Sequence, residues 1–129
     1  MDLGINERVA MVTGASKGMG KASAMALSEE GCKVAICARN QSDLDEAVKE
    51  LRGFGGHAIG VCADVTDEDD LERFYHQTVA ELGAVDIVVN AVGGAAAGTV
   101  DTMTDEDWQL NFDRNLFPSI RLIRLALPA

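Results

Sequence analysis

The segment Val12-Thr13-Gly14-Ala15-Ser16-Lys17-Gly18-Met19-Gly20 constrains this chain more than any other. It follows an apolar run, Val9-Ala10-Met11-Val12, that reads as a buried strand. It precedes Lys21-Ala22-Ser23-Ala24-Met25-Ala26-Leu27, which reads as a helix. Glycine there lets the backbone turn sharply and lets a pyrophosphate approach main-chain N–H groups, and the helix N-terminus behind it favours negative charge. Strand, glycine-rich turn and helix in that order read as a dinucleotide cradle. Gly14, Gly18 and Gly20 are spaced G-x-x-x-G-x-G rather than G-x-G-x-x-G. A nucleoside-triphosphate loop would need glycine at Ala15 and serine or threonine at Ala22, so that reading fails. The alternative, a structural glycine turn with no ligand, explains the turn but not its context.

Strands and helices alternate along the rest of the chain. Strand one covers about Arg8–Thr13, and the first helix runs to Glu30, stopped by Gly31. Strand two is Lys33–Ala38, strand three His57–Cys62 and strand four Val85–Asn90. Ser42 with Asp45, Thr66 with Asp69 and Thr104 with Asp107 have capping-box spacing at the helix starts between and after these strands. Leu44, Ala47, Val48 and Leu51 recur at helical spacing, as do Leu71, Phe74, Tyr75, Thr78, Val79 and Leu82. The last helix carries Trp108, Phe112, Leu116, Ile120, Ile123 and Leu127, and Pro118 inside it predicts a kink that frees carbonyls near Asn115. Continuous apolar strands alternating with amphipathic helices predict an α/β fold with a parallel sheet covered on both faces. Right-handed crossovers predict a Rossmann-type three-layer fold of strand order 3-2-1-4. A ligand crevice is then expected between strands one and four. The small-residue loop 93–98 is the one segment that looks flexible.

With 129 residues, the chain is long enough for one domain with a real core, and residues 1–129 are expected to form a single dinucleotide-binding unit. The net charge of −10 argues against nucleic acid or an anionic membrane as partner. No apolar run approaches the ~20 residues needed to span a bilayer. The N-terminal segment lacks the basic region of a signal peptide. Cys32, Cys37 and Cys62 show no C-x-x-C spacing, so neither a disulfide nor a metal site is expected, and a cytoplasmic setting fits.

The motifs together resemble the N-terminal half of the classical short-chain dehydrogenases/reductases, especially the 3-oxoacyl-carrier-protein-reductase-like branch. The resemblance runs through Thr13–Gly20, Cys37-Ala38-Arg39-Asn40, Ala63-Asp64-Val65-Thr66-Asp67, Val85–Asn90, Trp108, and Asn115-Leu116, and ends at Leu127-Pro128. It implies that Gly14, Gly18 and Gly20 line the pyrophosphate turn, with Met19 inside it. Ser16 and Lys17 fall where the family contacts the adenosine ribose or its 2′-phosphate. Asp64 matches the carboxylate that accepts from the adenine amino group, with Val65 against the ring. Asn90 and Gly93 match the strand-four motif beside the cofactor. Asn115 matches the catalytic asparagine whose backbone carbonyl holds a water in the proton relay. The implied activity is hydride transfer between a nicotinamide and a carbonyl or secondary alcohol of a small molecule, by a homo-oligomer.

Cofactor choice follows from charge. An NAD enzyme of this kind carries an acidic residue at the end of strand two, to accept the ribose hydroxyls. Here Ala38 stands there, followed by Arg39 and Asn40. Arg39 and Lys17 would attract a 2′-phosphate, so NADP(H) is expected in preference to NAD(H).

Two departures from the family's pattern stand out. Strand four ends Asn90-Ala91-Val92-Gly93 where the family has Asn-Asn-Ala-Gly, which removes an amide and adds bulk near the cofactor. The family's catalytic serine and Tyr-x-x-x-Lys are also missing. Tyr75 has no lysine four residues on and reads as part of a helical core stripe. The chain is therefore expected to supply the cofactor-binding half and to be inactive alone. A non-catalytic nucleotide-binding or structural half-Rossmann module is the competing expectation. With no outer neighbour for strand four, self-association through that edge or through the 105–127 helix is also expected.

Overall fold

In the computed structural model, described over residues 1–94 and 98–128, the strands form one parallel sheet of order β3-β2-β1-β4. Its strands are β1 (Val9–Thr13), β2 (Lys33–Ala38), β3 (Ala58–Cys62) and β4 (Ile87–Asn90). The helices are α1 (Gly18–Glu29), α2 (Gln41–Arg52), α3 (Glu68–Leu82), α4 (Asp105–Asn115) and α5 (Phe117–Ala126). This is the expected Rossmann-type order, set by crossovers that each return a strand parallel to its predecessor.

Side chains of a strand alternate between sheet faces, so each apolar strand feeds two cores. Ala10, Val12, Val34 and Ile36 pack in one cluster with Ala24 of α1 and Leu44, Val48 and Leu51 of α2. Met11, Ala35, Cys37 and Val61 pack in the other with Leu71 and Phe74 of α3 and Leu122 of α5. Phe74 is fully buried, a contribution of about 1.5–3 kcal/mol. Asp86 fixes the start of β1, its carboxylate accepting from the Val9 N–H at 3.0 Å.

Two of the three expected capping boxes need correction. The Ser42–Asp45 box does not form, because Asn40 caps α2 by accepting from the Asp43 N–H at 3.0 Å. The Thr66–Asp69 box gives way to Asp67, which accepts from the Asp70 N–H at 3.1 Å. Asn and Asp are at least as good caps as Ser and Thr, and the Thr66 hydroxyl is already committed to Asp64 at 2.7 Å. The Thr104–Asp107 box does form, in both directions.

The expected last helix is two helices that meet at Leu116. Pro118 cannot donate to the Arg114 carbonyl, so the chain restarts with proline in the first turn of α5, where no N–H is needed. The expected apolar stripe on these helices is largely exposed. No residue of α4 is buried, and in α5 only Pro118 and Leu122 are. Trp108, Phe112, Leu116, Phe117, Ile120 and Ile123 all face outward. β4 is partly exposed and pairs with β1 alone among the described residues. The core of the expected loop 93–98, residues 95–97, lies outside the described residues.

Candidate functional site

The β1–α1 turn is built by three glycines with different jobs. Gly14 has φ +60°, and a Cβ on it would stand 2.8 Å from the Ala91 carbonyl oxygen. A Cβ on Gly20 would strike the Gly14 carbonyl, so only glycine lets α1 close on the turn. Gly18 has φ +59° in open space, so its requirement is conformational alone. Thr13 links the turn to the β4 end. Its hydroxyl accepts from the Ala91 N–H at 3.2 Å and reaches the Val89 carbonyl at 3.5 Å. The β1 and β4 ends are thereby held together.

Lys17 stands at the N-cap of α1 and provides no side-chain cap, and the first turn of the helix holds no acidic residue. α2, α3 and α4 are each capped by a side chain and carry acidic first turns. The α1 N-terminus therefore keeps its positive end uncompensated beside the glycine turn.

A cleft of about 440 Å³ opens at the C-terminal ends of the strands. Gly14 and Ser16 line it from the first turn, Cys37, Ala38 and Arg39 from the end of β2, and Ala63–Thr66 from the end of β3. Ala91–Gly94 and Arg114 complete it. Of the sequence candidates, it gathers Gly14, Ser16, Arg39, Asp64, Val65 and Gly93. The others lie around it. Gly18, Met19 and Gly20 form the first turn of α1, with the Met19 side chain exposed. The Lys17 ammonium sits 3.5 Å from Asp43. Asn40 is spent on capping α2, and Asn90 ends β4 opposite Thr13.

Asn115 ends α4 and grips the β4 loop. Its Nδ2 donates to the Gly94 carbonyl at 2.7 Å and to the Asn111 carbonyl at 2.8 Å. Its Oδ1 accepts from the Gly94 N–H at 2.9 Å. A Cβ on Gly93 would stand 2.9 Å from that oxygen, so a side chain there would push against the Asn115 amide that grips the loop.

The Asp64 loop is equally constrained. Asp64 Oδ1 accepts from the Thr66 N–H at 3.0 Å and from its hydroxyl at 2.7 Å. The Asp64 N–H donates to Asp70 Oδ2 at 2.9 Å. Arg73 donates to Asp70 Oδ1 at 3.2 Å and to the Cys62 carbonyl at 2.7 Å. The Asp64 N–H, then Arg73, hold the Asp70 carboxyl below the usual carboxylate range. No hydrogen bond among the described residues uses Asp64 Oδ2, so it remains an acceptor at the cleft. Burial pushes the Cys37 thiol up to about 12, which makes it an inert wall rather than a nucleophile.

Tyr75 lies on α3, packed against the second core cluster with its ring centroid 5.4 Å from that of His76. It is not part of the cleft. Among the described residues no group of three or more His, Cys, Asp or Glu is arranged to hold a metal. No helix of the described residues is long and apolar enough to cross a membrane. Sequence reasoning missed Arg114, which lines the cleft, and the Asp70–Arg73 brace. Arg114 adjoins Asn115 in sequence, but its direction depends on how α4 packs.

These residues suit a dinucleotide: a turn that a Cβ would fill, an uncompensated helix N-terminus, a cation after β2 and a carboxylate oxygen after β3. The family model for short chain dehydrogenase matches residues 8–129. An uncharacterized oxidoreductase, YvrD, of Bacillus subtilis (strain 168) is 34% identical over 99% of this chain and 48% of its own. The 3-oxoacyl-[acyl-carrier-protein] reductase of a Synechocystis strain is 37% identical over 87% of this chain and 46% of its own. The crystal structure of L-sorbose reductase from Gluconobacter frateurii, complexed with NADPH and L-sorbose, superposes with a TM-score of 0.93 at 32% identity. That match covers 99% of this chain and 49% of the other. The chain thus spans about half the length of the relatives it matches.

Proposed function

Because the chain belongs to the short-chain dehydrogenase family, we propose that it supplies the cofactor-binding half of an NADP(H)-dependent oxidoreductase, as a single NAD(P)-binding unit. The observation that carries this is the first turn. Gly14 stands in the left-handed region against the Ala91 carbonyl, beside a helix N-terminus that no side chain caps. In this reading the diphosphate lies over Gly14, Gly18, Met19 and Gly20, with Ser16 and Lys17 toward the adenosine ribose. Asp64 Oδ2 accepts from the adenine amino group and Val65 packs on the ring. Arg39 supplies the positive charge for a 2′-phosphate, and Asn40 holds the helix behind it. Asn90 and Gly93 border the nicotinamide side. A nicotinamide held there would supply the hydride-transfer chemistry. Asn115 clamps the Gly94 backbone through its side chain, leaving its own carbonyl at the helix break to hold a water for proton transfer.

The substrate is a small carbonyl compound or alcohol, in keeping with the reductases among the relatives. Proton transfer in this reading needs a phenol with an ammonium beside it, and residues 1–129 do not supply that pair as Tyr-x-x-x-Lys, since Tyr75 has no lysine four residues on. In the same reading the exposed apolar faces of α4 and α5 and the outer edge of β4 are covered by a second copy of the chain. Isothermal titration with NADPH and NADH tests this. Saturable binding that favours NADPH supports it, and binding of neither to the folded chain leaves a structural half-Rossmann module instead.

A further inference from the structure

The cleft holds a second cation that the cofactor assignment does not use. Arg39 and Arg114 both line it, but they come from different layers. Arg39 follows β2 and precedes α2, in the layer of α1 and α2. Arg114 lies in the last turn of α4, which packs on α5, itself packed on α3 across the other sheet face. The cleft therefore has a guanidinium on each side. Lys17, the other cation expected at the site, is outside the cleft and paired with Asp43.

No hydrogen bond, ion pair or ring contact engages the guanidinium of Arg114 among the described residues. Its backbone is nevertheless fixed, because the adjacent Asn115 is bonded to Gly94 and Asn111. The cleft residues from the neighbouring α3 layer are Asp64, Val65 and Thr66. Asp64 brings a carboxylate with one open oxygen, so the field on this side is balanced rather than strongly positive. A balanced field suits an uncharged, flat heterocycle better than a phosphate. The anion positions lie instead at the α1 N-terminus and at Arg39. A guanidinium is planar and weakly hydrated, and it stacks well on an aromatic face.

Resting on the dinucleotide reading, we infer that Arg114 is a further cofactor-contacting residue whose guanidinium covers the purine held by Asp64. It strengthens binding of the adenine end without reading the 2′-phosphate. Arg39 discriminates NADPH from NADH, and Arg114 holds the part that both share.

The test is calorimetric titration of NADPH and NADH into the unaltered chain, Arg114→Leu, Arg114→Lys and Arg39→Leu, with circular dichroism to confirm that each is folded. Arg114→Leu should weaken both nucleotides equally, by on the order of tenfold, with their ratio unchanged. Arg114→Lys should recover only part of the loss, because an ammonium lacks the plane. Arg39→Leu should collapse the ratio. Unchanged affinities in Arg114→Leu, or a loss confined to NADPH, overturn the inference while the nucleotide reading stands. Absence of binding to the unaltered, folded chain overturns both.

Discussion

Replacing Gly14 and Gly18 by alanine, separately, divides two costs that usually occur together. Both residues have φ near +60°. Alanine in that region costs about 1–2 kcal/mol. At Gly18 the added methyl meets nothing within 4 Å, so Gly18→Ala should cost only that. At Gly14 the methyl lies 2.8 Å from the Ala91 carbonyl oxygen, 3.0 Å from its carbon and 3.1 Å from the Val92 nitrogen. All three are backbone atoms, and Ala91 is tied to Thr13 through its N–H. No side chain can swing aside, so an overpacking cost of about 1–3 kcal/mol adds to the first. Gly14→Ala should therefore lose about 2–5 kcal/mol in all. Urea unfolding, followed by circular dichroism and by the single tryptophan, Trp108, measures both variants. With a slope of about 1–3 kcal/mol per molar urea, the two midpoints should be well resolved. Equal midpoints would refute the claim that contact with the β4 loop, and not the backbone conformation alone, makes Gly14 a glycine.

Two further outcomes follow from the loops around the cleft. Asn115→Ala removes the hydrogen bonds to Gly94 and Asn111, a loss of about 1–2 kcal/mol at this exposed site. Hydrogen exchange at the Gly94 amide should accelerate, and an unchanged rate there would show that the clamp is not formed in solution. The Asp70 carboxyl is held below its ordinary value by the Asp64 N–H and Arg73. Its bracing of the Asp64 loop is therefore complete above the unfolded value of about 3.9 and is lost as pH falls through the lower folded one. The Asp64 amide resonance, followed by NMR, should titrate with a midpoint below about 3.9 and lose that transition in Asp70→Asn. A midpoint at or above that value would contradict the brace.

Much of this fold was legible because its signals are local. Val9–Thr13 and Lys33–Ala38 are short apolar runs with glycine-bounded helices behind them, and a run buried on both faces carries its strand assignment in its own composition. Order 3-2-1-4 then follows from the handedness of crossovers. The glycine turn was legible too, since glycine adopts the φ of Gly14 and Gly18 without the steric cost a side chain brings. Helix starts were harder. Asn40 and Asp67 out-competed Ser42 and Thr66 for positions a residue or two apart, and the Thr66 hydroxyl was drawn off by a carboxylate whose position depends on the β3 end.

What remained for tertiary structure was direction. Apolar spacing alone marks Trp108, Phe112, Leu116, Ile120 and Ile123 as a buried stripe, yet all are exposed, because burial requires a neighbouring surface and periodicity cannot supply one. Lys17 and Arg39 are equal as charges in the sequence. Folding sends one to Asp43 and the other to the cleft. Arg114 has no motif of its own, and reaches the cleft only because α4 ends at Asn115 and is fastened there to Gly94. Local chemistry determined which elements form and where an anion can sit. The meeting of four loops from separate strands with the end of α4 determined which side chains share the site, since that depends on contacts between residues far apart along the chain.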